Sequence, residues 1–192
     1  MPTPDRTSLD DIVRAGRDIL EADGLGRLTM QAVADRVGVR APSLYKRVRS
    51  RDDLIGLITS AAVEDLGGQL RVVATTGDAR ADLAELATAF RAFAHARPAA
   101  YHLIFAPVPG VGRPDQAALT RAIAPVLRVA GDLAGREHEL EAARTIAAWA
   151  YGFVAMELAG AFNLGGDIDR AYAFGIARLA DALDVHGGLQ AP

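Results

Sequence analysis

Apolar residues recur at steps of three and four along most of this chain, which is the spacing that gives a helix one buried face. In the N-terminal part, such stretches predict three helices, at residues 9–22, 30–37 and 41–48. Ser8, with Asp11 three residues on, and Thr29 are the predicted N-terminal caps of the first two. Gly38 separates the second helix from the third and permits a sharp turn, because glycine tolerates a positive φ. The pattern therefore predicts a small three-helix unit at this end of the chain.

The remaining apolar pattern is also helical but runs in longer stretches. A helix at 54–66 is followed by a predicted break at Gly67–Asp78. Beyond the break we predict five helical stretches: Ala79–Ala96, Ala99–Phe105, Pro114–Leu133, Arg136–Phe162 and Asp167–Leu183. Pro125 is expected to kink or interrupt the third of them. Alternating strand patterns are absent. We therefore predict an all-α fold, with the N-terminal unit at residues 5–53 and a larger helical body at residues 54–186.

Two short helices joined by a glycine turn, the second of them rich in bases, are typical of a helix-turn-helix that binds DNA. In that arrangement the second helix enters the major groove, and here this recognition helix would be the segment at about 41–48. Leu44 and Val48 share one face of it and should pack against Ile19, Val33 and Ala34. Residues 5–53 are thus predicted to form a helix-turn-helix DNA-binding domain.

Charge is distributed unevenly along the chain, although the formal net charge of -3 alone would argue against a nucleic-acid partner. Six bases and no acid occur between Arg36 and Arg51, whereas after Ala61 the acids outnumber the bases by 15 to 11. Attraction to phosphates is local, since salt screens charges over about 10 Å. One basic face is therefore enough for DNA binding, and the alternative is a solvated helix face without a partner.

The predicted DNA contacts come from the start of the second helix, from the third helix and from the residues just after it. Arg40 and Arg47 can donate to guanine edges or clamp phosphates, and Lys46, the only lysine, is assigned to phosphate. Tyr45 suits a phosphate oxygen, and Thr29 opens a helix whose N-terminal amides could hold another phosphate. The predicted DNA-binding residues are Thr29, Arg40, Ala41, Ser43, Tyr45, Lys46, Arg47, Ser50 and Arg51.

Composition and motifs exclude several other chemistries. The 192 residues are 51% hydrophobic and contain no cysteine, which rules out disulfides, thiolate catalysis and zinc–cysteine sites. The sequence has no motif of a metalloprotease, a P-loop NTPase or a serine hydrolase, and we predict no enzymatic activity, no cofactor and no metal. The N-terminus lacks the apolar stretch of a secretory signal, and no run is long enough to span a bilayer. We therefore expect a cytoplasmic protein without a membrane partner.

The segment from Leu28 to Leu54 resembles the helix-turn-helix of the TetR (tetracycline-repressor-like) family of transcriptional regulators. The matching positions are Thr29, Ala34, Val37-Gly38-Val39, Leu44-Tyr45, Ser50 and Leu54. Two positions depart from the family, because Val48 stands where phenylalanine is usual and Arg47 stands where histidine is frequent. The second half is similar more loosely, through Phe93-Ala-His-Ala-Arg-Pro98, Tyr101, Phe105 and the segment at 152–169.

The resemblance implies a regulator of transcription, and we expect a repressor that a small, mostly apolar effector releases from double-stranded operator DNA. The effector would bind inside the helical body, and the helix at 54–66 would carry its signal to the DNA-binding part. The candidate pocket residues, which combine apolar walls with a few polar groups, are Phe93, Tyr101, Phe105, Trp149, Tyr151, Phe153, Met156 and Glu157. The alternative for the aromatic residues is a place in the core, and Glu157 has the alternatives of a structural carboxylate or an interface charge.

The resemblance also implies a homodimer built from the last two long helices. Small residues in these helices permit close packing against a second copy of the chain. The predicted interface residues are Ala155, Ala159, Ala173 and Ala177. Internal packing within the monomer is the alternative for these residues. For the chain as a whole, the alternative functions are a helical protein-interaction module and an activator without ligand-controlled release.

Overall fold

The computed structural model describes residues 7–73, 75–106 and 108–185, and within these ranges it contains helices and turns but no strand. The predicted all-α fold is confirmed. The α-helices of the described residues are α1 (Leu9–Asp23), α2 (Met30–Val37), α3 (Ala41–Leu44), α4 (Arg51–Arg71), α5 (Ala79–Ala96), α6 (Pro98–Phe105), α7 (Gln116–Ala134), α8 (Glu139–Leu158) and α9 (Ile168–Leu183). Within the same ranges, no helix is both long and apolar enough to cross a membrane.

Several helices begin where the chain supplies a side-chain acceptor for their first amides. Ser8 Oγ accepts a hydrogen bond from Asp11 N at 3.0 Å, and the Asp11 carboxylate accepts one from Ser8 N at 3.0 Å, which completes a capping box at the start of α1. Thr29 Oγ1 accepts from Ala32 N at 3.1 Å at the start of α2. The predicted caps at Ser8 and Thr29 are therefore confirmed.

Two helices continue through residues at which the sequence predicts a break (Gly67) or a kink or interruption (Pro125). α4 runs through Gly67 to Arg71, and α7 continues through Pro125. Gly67 allows α4 and α7 to approach closely, because a Cβ built on it would lie only 2.7 Å from the Cα of Ala122. The predicted break at Gly67–Asp78 therefore starts too early, since Gly67 serves helix packing, and the described residues between Arg71 and Ala79 are non-helical as predicted.

The stretch predicted as one helix over Arg136–Phe162 is shorter in the structure. Arg136–His138 forms a 3-10 turn, and α8 begins at Glu139 and ends at Leu158. Gly160 has a φ of 66°, and its N–H donates to the carbonyl oxygen of Glu157 at 2.9 Å. A left-handed glycine two residues after the last helical residue thus ends α8 before the predicted end.

The described chain forms two compact units. The first unit comprises the described parts of Met1–Asp65 and Arg97–Leu119, and the second unit comprises those of Leu66–Ala96 and Thr120–Pro192. The predicted functional boundary between residues 53 and 54 stays a prediction, because compactness does not say which residues bind DNA. The predicted outer limits at residues 5 and 186 lie outside the described residues.

The core of the first unit joins the N-terminal helices to α4 and α6. Its buried members are Ile12, Ala15, Ile19, Leu20, Leu28, Met30, Val33, Ala34, Leu44, Val48, Leu54, Ile55, Ile58 and Leu103. Leu103 comes from α6, and Val108 and Val111 pack against the same core from the loop that follows α6. The helices of the predicted DNA-binding domain therefore share their core with a segment far along the chain.

The second unit buries a carboxylate at the start of α5. Asp82 is 1% exposed and accepts hydrogen bonds from Thr76 N and Thr76 Oγ1, each at 2.8 Å, and from Arg128 Nη1 at 3.3 Å. These bonds, the one from the Thr76 backbone foremost, hold the pKa of Asp82 below its usual value. Asp82 thus joins the segment before α5 to α7.

Candidate DNA interface

The turn after α2 has the backbone conformation that a helix-turn-helix needs. Gly38 adopts a left-handed conformation with φ 72° and ψ 33°, and the N–H of Val39 donates to the carbonyl oxygen of Ala34 at 3.0 Å. Glycine adopts this conformation without the steric cost that a Cβ would add. Gly38 therefore ends α2 and sets the direction in which the chain enters α3.

The recognition helix is shorter than the predicted segment at 41–48. It is α-helical over Ala41–Leu44, and a turn follows in which the N–H groups of Arg47 and Val48 both donate to the carbonyl oxygen of Leu44 at 2.9 Å. The bond from Arg47 spans three residues, which is tighter than the four-residue spacing of an α-helix. Tyr45, Lys46 and Arg47 consequently lie on a helical turn that continues the direction of α3.

Two apolar side chains hold this segment against the core of the first unit. Leu44 is 1% exposed and Val48 is fully buried, and both belong to the cluster that contains Ile19, Val33 and Ala34. The packing predicted for Leu44 and Val48 is confirmed. Since these two residues face the core, the polar side chains between them are left at the surface.

The bases of this segment form a surface that faces solvent, which we call the basic surface. It consists of the exposed side chains of Arg36, Arg40, Lys46, Arg47 and Arg49. The predicted DNA-binding residues Thr29, Ser43 and Tyr45 are also exposed, whereas Ala41 is half-buried. Exposed donors on one short segment are what contact with phosphates or base edges requires. The individual roles of these residues stay predictions.

At the start of α4, next to this segment, lie two further predicted DNA-binding residues, Ser50 and Arg51. Ser50 Oγ accepts from Asp53 N at 3.1 Å and so caps α4, while its own hydrogen can still be donated to a phosphate oxygen. Arg51 donates through Nε to Leu28 O at 2.6 Å and through Nη2 to Leu25 O at 2.7 Å. Arg51 thus joins α4 to the turn before α2, and its predicted contact with DNA stays a prediction.

Arg49 is a candidate DNA contact that the predicted site did not include. Its side chain is 90% exposed, and its backbone N–H donates to Asp53 Oδ2 at 2.8 Å, a bond that lowers the pKa of that carboxyl. Arg49 directly precedes Ser50 and belongs to the acid-free run from Arg36 to Arg51. The charge run was therefore the signal that could have identified it.

In the second unit, four aromatic side chains are connected by ring contacts, and we call them the aromatic cluster. They are Trp149, Phe153, Phe162 and Tyr172, with ring centroids 5.2 Å apart for Trp149 and Phe153, 4.8 Å for Phe153 and Phe162, and 5.5 Å for Trp149 and Tyr172. The Tyr172 hydroxyl donates to the carbonyl oxygen of Ala87 at 2.9 Å. Two residues of the predicted pocket, Trp149 and Phe153, are thus brought together.

Glu157, the acidic member of the predicted pocket, already has charged partners in the second unit. Both of its oxygens accept hydrogen bonds from Arg91, one of them at 2.8 Å, and His95 Nε2 lies 3.2 Å from Glu157 Oε2. The pKa of Glu157 is lowered, and the hydrogen bonds from Arg91 are the largest cause. Arg91 also contacts Asp169 at 2.7 Å and lies over the Tyr172 ring. These contacts favour the structural carboxylate among the alternatives for Glu157.

The other predicted pocket residues are distributed over both units. In the second unit, Phe93 is fully buried, Tyr151 is half-buried and Met156 is 48% exposed. Tyr101 and Phe105 belong to the first unit, where their ring centroids lie 5.2 Å apart. The structure therefore brings Trp149 close to Phe153 and Tyr101 close to Phe105, and the pocket as a whole stays a prediction.

The predicted interface residues lie at the surface of the second unit. Ala159, Ala173 and Ala177 are exposed, and Ala155 is half-buried. Large apolar side chains on the same two helices are exposed as well: Leu140 at 46%, Met156 at 48% and Phe174 at 65%. Three of the four alanines are therefore not used for internal packing of the single chain.

Comparison with known proteins assigns the chain to a family. A family model described as bacterial regulatory proteins of the tetR family matches residues 12–58, and one described as the C-terminal domain of tetracyclin repressor-like proteins matches residues 83–179. The uncharacterized HTH-type transcriptional regulator Rv0681 of Mycobacterium tuberculosis is 31% identical over 192 residues, covering 96% of this chain and 87% of that protein. The chain therefore belongs to the TetR family of DNA-binding transcriptional regulators.

Solved structures agree with this assignment. The regulatory protein SCO4313 is 27% identical, with a TM-score of 0.75 over 88% of this chain and 93% of that one. A TetR variant from Acinetobacter baumannii, solved in complex with minocycline, is 19% identical, with a TM-score of 0.70 over 97% of this chain and 99% of that one. At that identity the second likeness shows the fold alone.

Proposed function

We propose that this regulator is a repressor, which binds operator DNA as a homodimer through the basic surface and leaves it when a small, mostly apolar effector binds. The observation that carries the DNA part is the basic surface itself, whose five exposed bases lie in a segment without an acid. A role on DNA also entails a cytoplasmic location, and none of its steps requires catalysis by the protein.

The first experiment is selection of bound sequences from a random DNA library, followed by titration of the selected operator at several salt concentrations. With about 4–8 phosphate contacts per dimer, the logarithm of the binding constant should fall with the logarithm of salt at a slope of roughly -4 to -7. Binding that does not change from low to physiological salt would contradict the proposal. It would favour a protein-interaction module instead.

The exposed apolar side chains of α8 and α9 support the homodimer. Leu140, Met156 and Phe174 would be covered if the same face of a second copy packed against them. Pairing these helices with their symmetry mates would give a four-helix bundle. A dimer would also supply two recognition segments for two half-sites of an operator, about 34–36 Å apart.

The aromatic cluster supports an effector site in the second unit, because apolar walls are what a mostly apolar ligand needs. The minocycline complex of the Acinetobacter baumannii variant supports the expectation that this fold accepts a small molecule. Trp149 is the only tryptophan, so its fluorescence reports on this region alone. A compound that shifts the emission and weakens operator binding would be an effector.

The variant Phe153→Ala tests the location of the effector site. Since Phe153 contacts Trp149, Phe162 and Tyr172, its truncation should abolish the effect of an effector compound on both emission and DNA affinity. Compounds that change the emission but not the DNA affinity would show a pocket without regulation. A full response in Phe153→Ala would place the pocket elsewhere.

A further inference from the structure

A polar cluster lies within the first unit, at the residues where the chain leaves this unit and returns to it, and we call it the exit cluster. α4 leaves the first unit after Asp65, and the chain returns to the first unit at Arg97. Arg97 Nη1 lies 3.8 Å from Asp65 Oδ2, and Arg17 of α1 pairs with the same carboxylate. Asp65 and Arg97 are therefore joined to each other and to α1, although ion pairs that are partly open to solvent contribute little stability on their own.

Glu21 makes the stronger connection in the exit cluster. Its carboxylate oxygens accept hydrogen bonds from Ala99 N at 3.1 Å and Ala100 N at 2.9 Å, which are amides of the first turn of α6. Arg97, the residue before α6, gives that helix no side-chain cap. A carboxylate at this place satisfies amides that have no partner within the helix and complements the helix dipole. Glu21 of α1 is thus the N-terminal cap of α6.

α1 continues this connection toward the basic surface. It shares its buried core with α2 and α3, through residues such as Ile12, Val33 and Leu44. On the outside, Arg36 of α2 lies 3.7 Å from Asp18 of α1. A movement that enters the first unit at Arg97 therefore reaches α6 and α1 before it reaches the DNA-binding segment.

We propose that Glu21 is a positioning residue for DNA recognition, which couples α6 to α1 and so transmits changes in the second unit to the basic surface. The inference rests on the effector-controlled release in the proposed function. The predicted signal path runs through the helix at 54–66, and the inference adds a second path through α6 and Glu21. Because Glu21 holds two backbone amides of α6, a shift of α6 that exceeds the reach of the Glu21 side chain either moves α1 or breaks the cap.

Operator DNA itself serves as the probe, because coupling between two sites is reciprocal. If the second unit influences DNA binding, then binding of the selected operator must influence the second unit. The measurement is the change in Trp149 emission, together with hydrogen exchange of α8, when the operator is added to the full-length protein. In wild type both signals should change, whereas in Glu21→Ala the change should be smaller by at least about threefold, with the operator Kd altered by less than about threefold.

Three further variants separate coupling from folding. Glu21→Gln retains one acceptor oxygen at a similar distance, so it can accept from one of the two amides and should restore part of the response. Asp65→Asn removes the ion pairs to Arg17 and Arg97 without replacing a residue of α1 or α6, and it should weaken the response too. It tests the inference independently if Glu21→Ala fails to fold. Glu64→Ala removes a neighbouring exposed carboxylate of α4 and should behave as wild type.

Two outcomes would overturn the inference, and they differ in what else they contradict. A full response to the operator in both Glu21→Ala and Asp65→Asn would overturn the role of the exit cluster alone. A wild-type protein that binds the operator with no change in Trp149 emission or in α8 exchange would also contradict the effector-controlled release on which the inference rests.

Discussion

The indole ring of Trp149 lies directly against the backbone of Gly175, with no room for a side chain between them. A Cβ built on Gly175 would overlap the Cζ2 and Cη2 atoms of Trp149. Gly175 belongs to α9 and Trp149 to α8, so the two helices meet where one of them lacks a side chain. The position of the indole in the aromatic cluster therefore depends on a glycine 26 positions further along the chain.

Gly175→Ala should destabilise the protein by about 1–3 kcal/mol, because the new methyl group forces the packed indole or the helices apart. The free energy of unfolding in urea, followed by circular dichroism, measures this effect. A double-mutant cycle provides the control, since Gly175→Ala should cost less when Trp149→Phe is already present. Equal costs in the two backgrounds would show that the indole is not what Gly175 accommodates.

Two adjacent glycines of α4 offer a matched comparison. Gly67→Ala should destabilise the protein by about 1–3 kcal/mol, because its Cβ would meet the backbone of Ala122. At Gly68 the nearest atom to a Cβ is Arg71 Nη2 at 3.8 Å, and alanine there should be neutral or more stable by up to about 1 kcal/mol. Thermal or urea unfolding of the two variants checks the difference. Equal stabilities would contradict the close approach of α4 to α7.

The features of the fold that the sequence predicted correctly are those with local causes. Ser8 and Thr29 accept hydrogen bonds from amides three residues away, and the apolar spacing of each helix is visible within a few turns. The prediction that α4 ends at Gly67 was wrong, because a glycine inside a helix is explained only by the neighbour that it allows to approach. For Gly67 this neighbour is Ala122, which lies far along the chain, so the close approach could not be predicted from the local sequence.

In the candidate site, too, the features with local causes could be predicted, whereas contacts between residues distant in the chain could not. The basic surface follows from a charge run and from two anchors, Leu44 and Val48, that fix which side of the segment faces the core. Arg51 carries the same charge but donates to carbonyls more than twenty positions away. Glu157 and Arg91 are 66 positions apart, so their pairing could not be predicted from spacing either.

Asp82 should make the stability of the protein depend on acid. Its pKa is lowered in the folded state, so its contribution is present above the unfolded pKa of about 3.9 and is lost as the pH falls through the folded pKa. Asp82→Asn should therefore be less stable than wild type at neutral pH, with a smaller difference near pH 3. Urea unfolding at the two pH values measures this. The exposed Glu85→Gln on the same helix is the control, and an equal pH dependence in both variants would contradict the role of Asp82.

Lys46 and Arg40 should differ in their effects on DNA binding, although both are exposed bases of the basic surface. Lys46→Ala should weaken binding about equally for all sequences and reduce the salt slope by about 1, because it removes a phosphate contact. Arg40→Ala should relax the preference at particular base pairs, at a cost of about 1–3 kcal/mol for the selected operator. Repeating the library selection with each variant distinguishes the two effects. A uniform loss with Arg40→Ala would assign that residue to phosphate as well.

Ala159→Arg and Ala177→Arg should abolish the homodimer and, with it, tight operator binding. Both alanines are exposed in the single chain, so an arginine at either position is accommodated by the monomer and the fold should be unchanged. In a close-packed seam between α8, α9 and their symmetry mates, the same arginine would bury a charge without a partner. Sedimentation measures the oligomeric state, and Ala84→Arg on the exposed side of α5 is the matched control. A dimer that survives both substitutions would show that the chain associates through a different face, with Leu140 and Phe174 left outside the contact.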